Sequence, residues 1–140
     1  MRVRELMVGD WVMNNGNPIK VENIHGNFIN YSPDIPYVQE EDYLNENEIE
    51  PIPLTPEILE KNGFVYESDG LTWYDGIHNK EQVYIYCPIR KNGNVRKIEI
   101  LVNKYHFFTE LNTEYYVHEL QHALRLRLCG LNDLADNFKI

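Results

Sequence analysis

Gln82-Val83-Tyr84-Ile85-Tyr86-Cys87, Arg90-Lys91-Asn92-Gly93-Asn94 and Lys97-Ile98-Glu99-Ile100-Leu101-Val102 form the stretch from which the architecture is read. β-branched and aromatic residues fill both flanks, and an Asn-Gly pair lies between them, the signal of an antiparallel hairpin. Two more β-rich runs precede it, Phe64-Val65-Tyr66 and Leu71-Thr72-Trp73-Tyr74. With turns at Asp69-Gly70 and Asn79-Lys80, the four runs make an antiparallel meander. Downstream, Thr113 is placed to cap a helix running to about Gly130, a residue suited to a left-handed stop. At 100° per residue, Val117, Leu120, Leu124, Leu128 and Leu131 share one stripe, the face expected against the sheet. A last short turn covers Asn132 to Phe138.

Upstream of the meander the chain is punctuated differently. Leu6-Met7-Val8-Gly9-Asp10-Trp11-Val12 starts with a Gly-Asp turn and enters an apolar strand. Asn14-Asn15-Gly16-Asn17 and His25-Gly26-Asn27 are turns around Ile19-Lys20-Val21-Glu22-Asn23-Ile24, and Phe28-Ile29-Asn30-Tyr31 follows. Three short strands on tight turns predict a small curled sheet or SH3-like barrel, with Trp11 anchoring it. Pro51-Ile52-Pro53-Leu54 marks a boundary, because proline is poorly tolerated in a central strand. Thr55-Pro56-Glu57 then starts a short helix, with Thr55 as N-cap, and Asn62-Gly63 closes it. The expectation is an α+β protein: residues 1–50 form an SH3-like β lobe with an acidic loop, and residues 51–140 form an α+β lobe whose meander is covered by the C-terminal helix.

A formal net charge of −9 opposes a general phosphate-backbone binder, which needs clustered Lys and Arg. The basic residues Arg90, Lys91, Arg96 and Lys97 read as a solvated hairpin tip. Nucleic acid is therefore an unfavoured partner. No apolar run approaches the roughly 18 residues that cross a bilayer, and nothing after Met1 resembles a signal-peptide core, which points to a cytoplasmic protein without membrane contact. Cys87 and Cys129 suit buried thiols in a reducing compartment. Between Glu40 and Glu50, six of eleven residues are acidic, which reads as an exposed loop whose spacing does not follow a Ca²⁺-loop pattern.

One string carries recognisable chemistry. His118-Glu119-Leu120-Gln121-His122 puts two histidines four residues apart on one helix face, where they can share Zn²⁺ while Glu119 serves as base for a metal-bound water. Both histidines fall beside the apolar stripe, on a flank with Leu126 and Cys129. That position fits equally a pair of boundary histidines hydrogen-bonded to backbone carbonyls, with Glu119 on the helix surface. A catalytic zinc needs a third protein ligand, and Arg125 and Leu128 stand where the longer metallopeptidase string has Gly and His. Asp133, Asp136, His106, His78 and His25 are the remaining candidates, and no spacing singles one out.

The Leu-x-x-Gly-Asp-Trp-Val opening at Leu6 to Val12, the Pro-Ile-Pro-Leu-Thr-Pro-Glu-Ile-Leu-x-x-Asn-Gly-Phe centre at Pro51 to Phe64, and the helix string Val117-His118-x-Leu120-Gln121 resemble a family of small uncharacterised proteins from gut anaerobes, their prophages and other mobile elements. In that pattern the helix reads Val-His-x-Leu-Gln, without a requirement for Glu119 or His122. The resemblance implies a fold and no reaction, so no catalytic residue is carried over from it.

The leading expectation is accordingly a non-enzymatic accessory or interaction protein that binds a protein partner or self-associates. The second is a minimal zinc-dependent hydrolase with His118 and His122 as ligands and Glu119 as base. The third is an acidic nucleic-acid mimic, from the net charge and the Glu40 to Glu50 segment. Tyrosines sharpen the first. Several of Tyr37, Tyr43, Tyr66, Tyr74, Tyr84, Tyr86, Tyr105, Tyr115 and Tyr116 are expected to form one contiguous exposed patch.

Overall fold

A computed structural model describes residues 1–31, 43–75, 83–102, 105–109, 115–125 and 131–140. Among the described residues, ten strands form two five-stranded antiparallel sheets with three short α-helices, an α+β fold that is mostly sheet.

The first sheet contains β1 (Trp11–Asn14), β2 (Asn17–His25), β3 (Phe28–Tyr31), β4 (Leu44–Asn45) and β5 (Glu50–Pro51), in the order β4-β3-β2-β1-β5. The β1–β2 and β2–β3 hairpins are two-residue turns. Asn15 and Gly16 both take positive φ, 49° and 79°, which joins β1 to β2 with the twist that antiparallel strands need. The register of β2 on β3 shifts between Val21 and Asn23, a bulge that bends the long strand.

Curling follows from chain length. A flat sheet would hold β4 and β5 about 19 Å apart, four strand spacings. Only residues 46–49 join them, and three of these form a 3₁₀ turn (Glu46–Glu48) that rises about 2 Å per residue. The sheet must bend its edges toward each other. It does not close into a barrel, since among the described residues no ladder joins β4 to β5.

The segment expected as an exposed acidic loop is regular structure from Leu44 on, although Glu48 and Glu50 are exposed. Residues 44–51 supply two strands and the 3₁₀ turn, and Ile49 is buried. Glu46 Oε1 accepts a hydrogen bond from Val3 N–H at 3.0 Å, and Glu48 Oε2 accepts from Asn45 N–H at 3.1 Å. Residues 40–42 lie outside the described residues.

The second sheet is a plain meander, β10-β9-β8-β7-β6, built from β6 (Val65–Glu67), β7 (Gly70–Asp75), β8 (Val83–Pro88), β9 (Ile98–Val102) and β10 (Tyr105–Thr109). Period-two alternation sends Val83, Ile85, Cys87, Ile98 and Ile100 to one face, where they pack with residues of the three helices. α1 (Pro56–Lys61) starts as expected, with Thr55 Oγ1 accepting from Ile58 N–H. Strand β10 was not anticipated.

Two clusters of buried side chains result. Val3, Leu6, Val12, Val21, Ile29 and Ile49 fill the first sheet, and a larger group lies between the second sheet and the helices. Trp11 departs from expectation. Val12 points into the first cluster, so its neighbours Trp11 and Met13 point the other way and pack on the second. Trp11 thus bridges the sheets.

The C-terminal helix begins later than its capping pattern suggests. α2 spans Val117–Leu124 with Tyr116 as N-cap, because Tyr116 is held extended in a bridge to Pro53. Leu54 N–H donates to Tyr115 O and Val117 N–H donates to Ile52 O, both at 2.8 Å. Thr113, Leu126, Leu128, Cys129 and Gly130 lie outside the described residues. α3 (Asn132–Asp136) forms the last short turn. Val117, Leu120, Leu124 and Leu131 of the stripe are buried in the second cluster. Leu120→Ala or Leu124→Ala should each lower unfolding free energy by about 2–5 kcal/mol, measurable by urea titration; a loss under about 1 kcal/mol would contradict their place in this core.

Candidate functional site

The polar groups of the histidine string lie where α2 meets the start of β1. Gly9 and Asp10 make the turn before β1, with Gly9 N–H donating to Val21 O at 2.7 Å and Asp10 N–H donating to Met7 O at 3.1 Å. Gly9 has φ +94°, and a Cβ there would stand 2.7 Å from Arg125 Nη2, so the close passage of the arginine requires glycine.

Asp10 is fully buried. Its Oδ2 accepts from Met7 N–H at 2.8 Å and lies 2.6 Å from His122 Nε2, while Oδ1 accepts from Arg125 Nη1–H at 2.6 Å. An ionised carboxylate only accepts, so this pairing puts a proton on His122 Nε2. Arg125 also reaches Asp136 Oδ1 at 3.3 Å.

Gln121, equally buried, acts as a surrogate strand neighbour. Its Oε1 accepts from Trp11 N–H at 3.0 Å, and its Nε2 donates to Gly9 O at 2.9 Å and to Ala135 O at 3.0 Å. Trp11 Nε1–H donates to Phe138 O at 2.7 Å, and Lys20 Nζ donates to Asp136 O. β1, α2 and α3 are thereby joined, with the two bonds from Gln121 Nε2 buried.

The string's own residues take roles different from those expected. Glu119 is half-buried rather than free on the surface, and its Oε1 accepts from Tyr116 N–H at 2.9 Å, which caps the first turn of α2. Burial pushes its pKa up, against the opposing effects of that hydrogen bond and of His122. His122 bonds a carboxylate, not a backbone carbonyl. His118 is buried, its ring stacks on Tyr116 with centroids 6.0 Å apart, and its Nδ1 has no hydrogen-bond partner. Desolvation lowers the His118 pKa, partly offset by the charge of Asp10.

The two imidazoles stand at 76° with centroids 5.6 Å apart. Among the described residues, no set of three His, Cys, Asp or Glu side chains is arranged to hold a metal. Of the candidate third ligands, Asp136 pairs with Arg125, Asp133 sits in the first turn of α3, and His25 ends β2 edge-on to Tyr43 at 6.1 Å. His78 and the His106 side chain lie outside the described residues. Cys87 is buried in the second cluster, and desolvation pushes its thiol up to about 12, which leaves it protonated and unreactive.

Asp10, Gln121 and Arg125 were not picked out as a constellation by sequence reasoning. A signal existed: the Gly-Asp-Trp and Val-His-x-Leu-Gln stretches are in contact here, and the Pro-Ile-Pro stretch bridges to Tyr116 and Val117 beside them. No family model, no curated protein and no solved structure matches this chain.

Two outcomes follow from this geometry. Asp10→Asn leaves the Arg125 guanidinium in a site with little solvent and without its main counter-charge, and should cost about 3–5 kcal/mol in urea unfolding; a variant as stable as the parent would show that the ion pair does not hold the joint. The His118 pKa is depressed in the fold, so the unfolded chain binds more protons below about pH 6.5, and stability present above that value falls on acidification. His118→Phe keeps the stacking and removes the titration. Its melting temperature should drop less than the parent's between about pH 7 and about pH 5, and an equal drop would discount His118 as the source.

Proposed function

We propose that this chain is a non-enzymatic accessory protein that acts by binding another protein. The observation that carries this reading is a group of exposed apolar side chains on β6 and β7 of the second sheet, Val65 and Tyr74 on one face and Tyr66 on the other, at 66%, 58% and 61%; Met7, Val8, Ile24 and Phe28 are exposed at the first sheet. Side chains of this type in water are a feature of protein-binding surfaces. The single large tyrosine patch is not what supports it. Tyr115 is buried, Tyr84 and Tyr86 are half-buried, and Tyr37 lies outside the described residues, as does the Tyr105 side chain.

The string's polar groups point the same way. Glu119 serves as a cap and His122 as a partner of Asp10, so neither stands ready for a substrate. For the first sheet we keep the SH3-like assignment, on its strand order and on the 3₁₀ turn between its last two strands. Among the described residues no helix is long and apolar enough to cross a membrane, in keeping with a cytoplasmic site of action.

The zinc-hydrolase reading stays as the second, favoured by the unpartnered His118 Nδ1 and the imidazole spacing. Elemental analysis and a peptide-substrate screen on parent and Glu119→Gln separate the two. We expect substoichiometric zinc and no hydrolysis lost in the variant. One firmly held zinc per chain, with hydrolysis that disappears in Glu119→Gln, would replace the binding reading by the hydrolase.

A further inference from the structure

We propose that the free edge of β6 takes up an extended, lysine- or arginine-bearing segment of a partner protein as an added strand. The proposal rests on the protein-binding reading and names the surface and the chemistry of the partner. β6 is the last strand of its sheet on that side among the described residues. Its hairpin to β7 turns on Ser68 and Asp69, with Glu67 opposite Gly70 and Val65 opposite Thr72. In a two-residue hairpin the closing pair exchanges both hydrogen bonds, and such pairs alternate with pairs that exchange none. Tyr66 therefore directs its N–H and C=O away from β7, toward whatever lies beside the edge.

Sheet edges are ordinarily blunted by proline, by lysine or by extreme shortness. In the first sheet, β5 contains Pro51 and β4 has two residues. The sequence of β6 is Val-Tyr-Glu, with no proline and no lysine, and it exposes Val65 on one face of the sheet and Tyr66 on the other. Strand addition uses this arrangement, in which main-chain bonds supply affinity and side chains on both faces supply selectivity.

Charge decides the occupant. Carboxylates flank the edge on both sides. Local desolvation, then the charges of Glu60 and Glu57 on α1, hold the Tyr66 hydroxyl above its ordinary pKa, and Glu67, which accepts from Thr72 Oγ1 at 2.9 Å, shares the face of Val65. A second copy of this chain paired edge to edge would bring these carboxylates against their own equivalents, in a molecule of net charge −9. A cationic segment meets them favourably, and its aliphatic stems can lie along Val65 and Tyr66.

The test uses the full chain and a short end-capped peptide that alternates lysine with valine, with its glutamate counterpart as control, followed by amide NMR. The lysine peptide should shift and protect the Tyr66 amide and its neighbours on β6 and β7, and bind more weakly as salt rises. Tyr66→Val should bind within about threefold of the parent, whereas Tyr66→Pro, which removes the outward donor but no β6–β7 bond, should lose about tenfold or more. Joint Glu57→Lys and Glu60→Lys substitution should lose a similar factor with the Tyr66 donor intact, so the proposal stays testable if the proline variant misfolds. Equal binding of the glutamate peptide, indifference to the charge reversal, or no binding would overturn it. So would Tyr66 amide protection that appears without peptide as the protein dimerises. Peptide bound elsewhere on the surface overturns the edge and leaves the protein-binding reading standing, whereas zinc-dependent hydrolysis lost in Glu119→Gln overturns that reading.

Discussion

The arrangement of the two sheets rests on Asp10 and Gln121, two polar side chains with no exposed surface. Burying such groups is unfavourable unless their hydrogen-bonding capacity is met, and here it is met by groups from distant parts of the chain. Asp10 gathers a backbone N–H from its own turn and two side chains from the end of α2. Gln121 gathers both main-chain groups beside the start of β1 and a carbonyl of α3. An apolar contact between the lobes would tolerate sliding. These directed bonds accept one register only, since a shift of one residue in β1 would present Gln121 with the wrong donor and acceptor.

The same joint explains why a metallopeptidase-like string sits in a helix that uses it for other ends. A helix covering a sheet needs an apolar stripe, and residues at its border meet the neighbouring lobe. His118 and His122 occupy that border, one turn apart, so they are drawn to the same carboxylate region without a metal to organise them. Glu119 falls at the third helical position, where a carboxylate serves the N-cap N–H and the helix dipole. Spacing alone fits either use, and the partners decide between them. Asp10 already accepts from Met7, His122 and Arg125, and the guanidinium beside it disfavours a second cation.

What the sequence made legible were features of short range. The Asn-Gly and Gly-Asn turns, the Thr55 cap and the alternation in β8 and β9 each depend on a few neighbouring residues, and each stands in the fold. Strand β10 escaped because Tyr105-His106-Phe107-Phe108-Thr109 shows no apolar-polar alternation, and its identity depends on pairing with β9. The start of α2 escaped for a similar reason. Tyr116 is compatible with a helix, but its bridge to Pro53 holds it extended. The joint itself was hidden because its residues stand more than a hundred positions apart, and an isolated Gln or Asp announces no partner. Trp11 was misplaced by assigning it to the lobe of its own strand, although alternation around Val12 already implied the opposite face.

A rigid joint also bears on how an exposed edge could work. Binding is weakened by every degree of freedom it must freeze, so a surface that is ordered beforehand gains affinity without added contacts. β6 is hydrogen-bonded to β7, whose inner face is packed with α1 and α2, and α2 is bolted to the first sheet through Gln121 and Asp10. Asn62 extends the bracing, because its side chain both accepts from Lys139 N–H and donates to Lys139 O, tying the C-terminal residues to the end of α1 beside β6. The edge is therefore held from behind by both lobes, while Val65 and Tyr66, the most exposed of the large hydrophobic residues among the described residues, stand on the two faces beside it. Rigidity behind and apolar exposure in front have opposite effects on solubility and on binding, and carboxylates on both flanks reconcile them. They hold off copies of the same acidic chain and leave the edge open to a segment of the opposite charge.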